Sequence, residues 1–328
     1  MIIPEYWSEA RVQHREDNRQ VTIRRWGWSL ESDQEAAKMA EQRAQEALAI
    51  VLQGKPIERR EVRVPYNGAD GFPIREEVIS RHANSVITRN SYGALCLNTE
   101  NVLISDIDLE EFQSTGFLIA TFLAIVSGFL FGYYQSSILL GIGVFIALLI
   151  AAFVVQGIVD RQRKIHFEKS TEGRALSARN KIVRFSETHT EWGMRLYRTP
   201  NGFRVIVTHR TFDPDAPEVQ AFFESTDVDP QYRFMCKNQK CFRARLTAKP
   251  WRIGMTDRMR PRPGVWPLSP DKLAIRNEWI SRYEKKVVRF AACRFVETIG
   301  RKIEDPTVAA VVQLHDEVCQ AKGNLPIA

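Results

Sequence analysis

The sequence predicts an α+β fold: an antiparallel or mixed sheet, interrupted by a two-helix transmembrane hairpin. Two observations carry this. From Phe112 to Val159 there are 48 consecutive residues without Asp, Glu, Lys, Arg or His. The 280 residues outside that window hold all 85 Asp, Glu, Lys and Arg residues, in short alternating runs and helical patterns separated by turn residues. Evenly spread charge is excluded. So is a many-pass transporter, because most of the mass is polar.

Taken in order, residues 21–29 read as a strand. Ser32 with Glu35 three residues on is a capping-box pattern, and the alanine-rich helix behind it runs to about Leu52 before Gly54 and Pro56. Residues 59–65 alternate like a second strand, giving a βαβ-like opening. A loop over Tyr66–Pro73 follows. Residues 84–98 read as a hairpin turned near Ser91–Gly93, and 101–109 as a further strand. After the apolar window, a short helix is expected over Phe167–Phe185. Met194–Arg198 and Phe203–Thr208 flank Pro200-Asn201-Gly202, a strong hairpin turn. Short helices are expected over 214–226 and 230–237 and a strand over 241–247. Apolar spacing then fits a long helix from Pro270 to about Ile299, and a last helix runs from Pro306 to about Gln320.

Inside the window, Gly116–Tyr134 and Ser137–Val159 are each long enough for a helix to span roughly 27–35 Å, the thickness of a bilayer's hydrocarbon core. Gln135 and Ser136 separate them. Gly141, Gly143, Ala147 and Ala151, with Ser127 and Gly128 opposite, favour close backbone approach. Cations follow the second stretch at Arg161, Arg163, Lys164 and Lys169, so the positive-inside rule places both polar segments, and both termini, in the cytoplasm. No apolar run opens the chain, so no cleavable signal is expected. Five cysteines at unpatterned spacing suit a reducing compartment. The expected organisation is 1–111 and 160–328 as two parts of one cytoplasmic domain around the hairpin at 112–159, with helices at about 116–134 and 137–159.

Charge is asymmetric: residues 1–111 carry a net −5 and residues 160–328 a net +12. A basic half calls for an anionic partner, either lipid head groups or nucleic acid. Asp106 and Asp108, two apart on a strand, project to one face. Such a pair is the arrangement that holds Mg²⁺ or Mn²⁺ for phosphoryl or nucleotidyl transfer; a solvated acidic strand end beside Glu110 and Glu111 would look the same. The hairpin through Arg198 and Arg204 to His209 offers a phosphate-binding edge, with His209 a candidate catalytic group. Arg89 precedes the aspartate strand. Between Arg233 and Arg262 the net charge is +9 in 30 residues, with Phe234, Phe242 and Trp251 interleaved. There Arg243, Arg245, Lys249 and Arg252 are expected to grip phosphate, although the same face would suit anionic lipid. Walker, GxGxxG, GxSxG and HExxH patterns are absent, which argues against the corresponding P-loop, Rossmann, serine-hydrolase and zincin enzymes.

Leu103-Ile104-Ser105-Asp106-Ile107-Asp108 resembles the acidic strand motif of the archaeo-eukaryotic primase and primase-polymerase superfamily. Thr199–Arg204 resembles the glycine-containing hairpin of its second motif. The resemblance implies an RRM-like core and metal-dependent nucleotidyl transfer, or a degenerate nucleotide-binding member. The chain departs from the family where Arg204 stands in place of the second-motif His, and where a third acid has only Asp257 and Asp271 as candidates. Two functions follow as expectations: a membrane-anchored domain binding nucleotide or nucleic acid, or a non-catalytic adaptor whose basic face meets anionic lipid or an acidic protein.

Overall fold

Residues 1–16, 19–59, 61, 73–109, 118–262 and 266–328 are described by a computed structural model. They divide into two compact units, one formed by 1–108 with 180–328, the other by 109–179.

The first unit opens with an antiparallel hairpin, β1 (Tyr6–Glu16) and β2 (Arg19–Ser29), in register from Tyr6 opposite Ser29 to Glu16 opposite Arg19. Helix α1 (Asp33–Leu52) follows, capped by the Ser32 hydroxyl, which accepts from the Glu35 N–H. It buries Ala36, Ala40, Ala44, Ala47 and Leu48. The small alanine face lets it lie close on β2, where Gly27 is required: a Cβ there would stand 2.2 Å from both the Ala36 carbonyl oxygen and the Ala40 nitrogen. Because the obstacle is backbone, Gly27→Ala should push α1 off the hairpin at a cost of about 1–3 kcal/mol. Faster hydrogen exchange across α1 would report it; unchanged protection would refute the close approach. A strand that was not expected, β1, thus precedes the strand and helix of the opening. The strand expected over 59–65 and the loop after it lie largely outside the described residues.

Two four-stranded antiparallel sheets form the body. One has the order β3 (Glu77–His82), β4 (Ser85–Arg89), β5 (Leu95–Thr99), β9 (Phe242–Arg245). The other has the order β10 (Arg294–Gly300), β7 (Gly193–Thr199), β8 (Gly202–Val207), β6 (Ile104–Asp108). Each therefore combines strands from before and after the apolar window. The edges β6 and β9 are joined by side chains: the Tyr232 hydroxyl lies 2.6 Å from the Ile104 carbonyl and 2.9 Å from that of Arg243. Helices α4 (Pro217–Ser225), α5 (Pro230–Gln239), α6 (Pro270–Val287) and α7 (Pro306–Cys319) complete the unit. The long helix expected to Ile299 stops at Val287, and β10 takes the residues after it, where Arg294–Gly300 pair with β7.

The second unit holds α2 (Leu118–Tyr134) and α3 (Ile138–Thr188) as far as Arg179, joined by a tight turn with Ser136 in the left-handed region. They meet at glycines: a Cβ on Gly132 would stand 3.0 Å from Gly141 Cα, and one on Gly128 would stand 2.9 Å from the Gly141 carbonyl oxygen. Gly143 faces open space. Among the described residues one helix, Ile138–Arg163, is long and apolar enough to cross a membrane, and only 6% of its apolar window is buried. Among the described residues α2 spans 17, a rise of about 26 Å. The separate helix expected over Phe167–Phe185 is instead the polar continuation of α3.

Candidate functional site

The register places Asp106 on β6 directly opposite Arg204 on β8. The guanidinium grips the carboxylate through both arms, Nε to Oδ1 at 2.7 Å and Nη2 to Oδ2 at 2.9 Å. Its remaining nitrogen, Nη1, donates to the Arg245 carbonyl at 2.8 Å and to His315 Nε2 at 3.1 Å. Arg204 is 1% exposed. Burial alone would raise the Asp106 carboxyl, but the paired Arg204 outweighs it and holds the group below its ordinary value. The carboxylate expected to share a metal ion is therefore engaged by a cation on its own sheet.

Other expected phosphate ligands are also interior. Arg243 Nη2 donates to both carboxylate oxygens of Glu76, at 2.7 and 2.8 Å, and Nη1 donates to Asn98 Oδ1. Arg89 reaches Glu284 at 2.7 Å and Glu77 at 3.8 Å. Both are buried. An arginine that close to a carboxylate is spent on the fold, so Arg89, Arg204 and Arg243 do not form the exposed phosphate surface expected of them. His209 is also separate. Its Nδ1 accepts from the Gly193 N–H at 3.2 Å, and its ring lies 5.2 Å from that of Trp192. Burial and then Arg210 lower its pKa. Five residues along the chain from Arg204, it stands on the order of 15 Å from Asp106. The structure does not bring the three proposed catalytic groups together.

It does bring others together. Asp108 keeps part of its side chain in solvent; partial desolvation and then Asp106 raise its carboxyl, while Lys249, Arg245 and Arg252 pull it back. Arg252 Nη2 donates to Asn201 Oδ1 in the β7–β8 turn at 2.5 Å. Arg198 lies over the Phe203 ring at 5.0 Å beside the same turn. Lys249 Nζ sits 5.5 Å above the Trp251 ring, and Trp251 meets Tyr92 edge-on at 5.3 Å. This rim continues into a cleft of about 770 Å³ walled by Tyr92, Trp251, Met255 and Trp279, with Arg258 and Arg262 at its mouth. Trp251 is 57% exposed. Arg258, Arg260 and Arg262 are exposed and have no ion-pair partner among the described residues. Asp257, the acid beside them, is taken by Arg282 at 2.6 Å. The cleft is therefore cationic and aromatic, a combination suited to an anion with a flat apolar face.

A second group went unread in the sequence. Cys293, His315 and Cys319 are fully buried and place their ligand atoms within 4.8 Å of one another, an arrangement able to hold a metal ion. Its signal was the spacing His315-x₃-Cys319, which puts both side chains on one helical face. No family model, curated protein or solved structure matches the chain.

Proposed function

We propose that this chain is a membrane-associated, nucleotide-binding protein. Its cleft at Tyr92, Trp251 and Trp279 takes the base, and Arg258 and Arg262 take the phosphates. The observation carrying this is the coexistence of a largely exposed tryptophan and cations lacking counter-charges around one apolar cavity. Cations left unpaired by the protein are available to an anion, and stacking supplies sequence-tolerant affinity for a base. The membrane attachment rests on Ile138–Arg163. The fuller topology, α2 and α3 as a spanning hairpin with both termini cytoplasmic, draws support from the glycine-lined helix contact and from Arg161 and Arg163 after the apolar segment.

Metal-dependent phosphoryl transfer draws less support, because a divalent ion on Asp106 and Asp108 would have to displace the Arg204 guanidinium. The test is nucleotide binding to the full chain in detergent micelles, followed by tryptophan fluorescence, with inorganic phosphate and a short single-stranded oligonucleotide as separate arms. Trp251→Ala should weaken nucleotide binding by about 5- to 150-fold, equivalent to about 1–3 kcal/mol per stacked base. Arg258→Gln with Arg262→Gln should flatten its salt dependence. Inorganic phosphate binding as tightly as nucleotide would sink the proposal, since the aromatic wall would then be idle. A strict Mg²⁺ or Mn²⁺ requirement abolished by Asp108→Asn would restore the catalytic reading.

A second reading, docking on anionic lipid, is favoured by the same exposed Trp251 flanked by Arg252, Arg258 and Arg260, since tryptophan and arginine together suit a lipid interface. Binding of the chain to a soluble nucleotide in the absence of anionic lipid would exclude it as the sole role.

A further inference from the structure

We infer that Cys293, His315 and Cys319 form a zinc site locking α7 against the start of β10. The placement comes from two segments of backbone. Helix α7 presents His315 and Cys319 four residues apart on one face. The Ala292 N–H donates to the Cys319 carbonyl at 3.0 Å, which brings Cys293 beside the helix end. Cys293 Sγ then lies 3.7 Å from His315 Nε2. With Zn–S near 2.3 Å and Zn–N near 2.0–2.1 Å, tetrahedral ligands stand roughly 3.6–3.8 Å apart, so this edge already has the required length.

The surroundings of His315 are those of a metal-bound imidazole. Its Nδ1 lies 3.0 Å from Asp316 Oδ1, and Asp316 is itself held by Arg195 at 3.2 Å. The guanidinium of Arg204 can only donate, so Nε2 carries the lone pair and Nδ1 the proton donated to Asp316. That is the tautomer a metal needs, with a carboxylate behind the ring fixing its orientation. The ring is also held edge-on to Tyr197 at 4.8 Å. Two thiols and an imidazole are soft-to-borderline ligands, which select Zn²⁺ over Mg²⁺ or Mn²⁺.

Arg204 tunes the site. In the ion-free protein its Nη1 caps the Nε2 lone pair and lies 3.9 Å from Cys319 Sγ. On binding, Zn²⁺ takes that lone pair, and both thiols give their protons to solvent. Nη1 has to draw back from Nε2 to admit the ion, while Nε and Nη2 face Asp106. Two thiolates and one Zn²⁺ are neutral together, so the Arg204–Asp106 pair stays balanced.

The test uses the full chain in detergent, stripped with chelator and reloaded with Zn²⁺ or Co²⁺. One equivalent of zinc per chain is expected. The Co²⁺ form should show thiolate-to-metal charge transfer and the visible bands of a tetrahedral ion. Cys319→Ser should abolish the charge-transfer band or shift it. Asp316→Asn should weaken zinc about 10- to 100-fold while leaving the band's shape. Cys236→Ser and Cys241→Ser should change neither. A wild-type chain that holds no stoichiometric zinc and gives no charge-transfer band with Co²⁺ overturns the site, whether or not the variants fold. A band lost in Cys236→Ser, or unchanged in Cys319→Ser, overturns its location.

Discussion

Glu76→Leu should destabilise the unit that holds the two antiparallel sheets by about 3–5 kcal/mol, because it strands a buried guanidinium. Glu76 and Arg243 are 5% and 8% exposed at the side chain. Their pair is embedded in a network: Thr88 donates to Glu76 at 2.7 Å, and the Asn98 amide donates to Thr88 at 3.0 Å while its oxygen accepts from Arg243 at 2.6 Å. At roughly 2–4 °C per kcal/mol for a unit of this size, the melting temperature should fall by about 10 °C. The double change Glu76→Leu with Arg243→Leu should recover most of the loss, since an apolar replacement for both partners leaves no orphaned charge. A single change that costs nothing, or a double change that costs the sum, would show that the pair is not a coupled buried unit.

The pair Asp106–Arg204 should behave asymmetrically. Removing the carboxylate with Asp106→Ala leaves Arg204, 2% exposed at its side chain, without a counter-charge, at a cost of about 3–5 kcal/mol. Arg204→Met should cost less, because Asp106 is 30% exposed and water can solvate the carboxylate left behind. Acid should act in the same direction as Asp106→Ala. The folded carboxyl lies below its ordinary value of 3.8, so its contribution is fully present above that value and is lost as pH falls through the folded one. The stability gap between wild type and Asp106→Asn should therefore be constant above about pH 4 and close below it. Equal costs for the two single changes would show that Asp106 is no better hydrated than Arg204.

Local grammar made several elements legible. Ser32 and Glu35 announced α1, Pro200-Asn201-Gly202 announced the β7–β8 hairpin, and Asp305-Pro306 stands at the start of α7. Strand β1 was hidden because Glu9, Arg11, Arg15 and Glu16 stud it, and only one face of a two-stranded hairpin needs apolar residues. The region after Val287 misled in the opposite way. Phe290, Cys293 and Phe295 continue a helical spacing, yet Arg294–Gly300 pair with β7. The arginines were the larger failure. A basic residue reads as surface until its carboxylate is known, and Glu76 lies 167 positions from Arg243. The basic stretch to Arg262 did contain the cleft's cations, but nothing local separated Arg258 and Arg262 from their buried neighbours.

The order in which strands join has a consequence for biosynthesis. Asp106 and Arg204 are 98 positions apart. At about 5–20 residues per second, β6 leaves the ribosome roughly 5–20 s before its neighbour β8 exists. The apolar Ile138–Arg163 emerges in that interval. Closure of the sheet therefore waits until the whole apolar segment has been made, and the nascent N-terminal third stands with Ile104 and Ile107 uncovered. A chaperone that shields such an edge should associate with arrested chains ending near residue 190 and release those long enough to have extruded Val207.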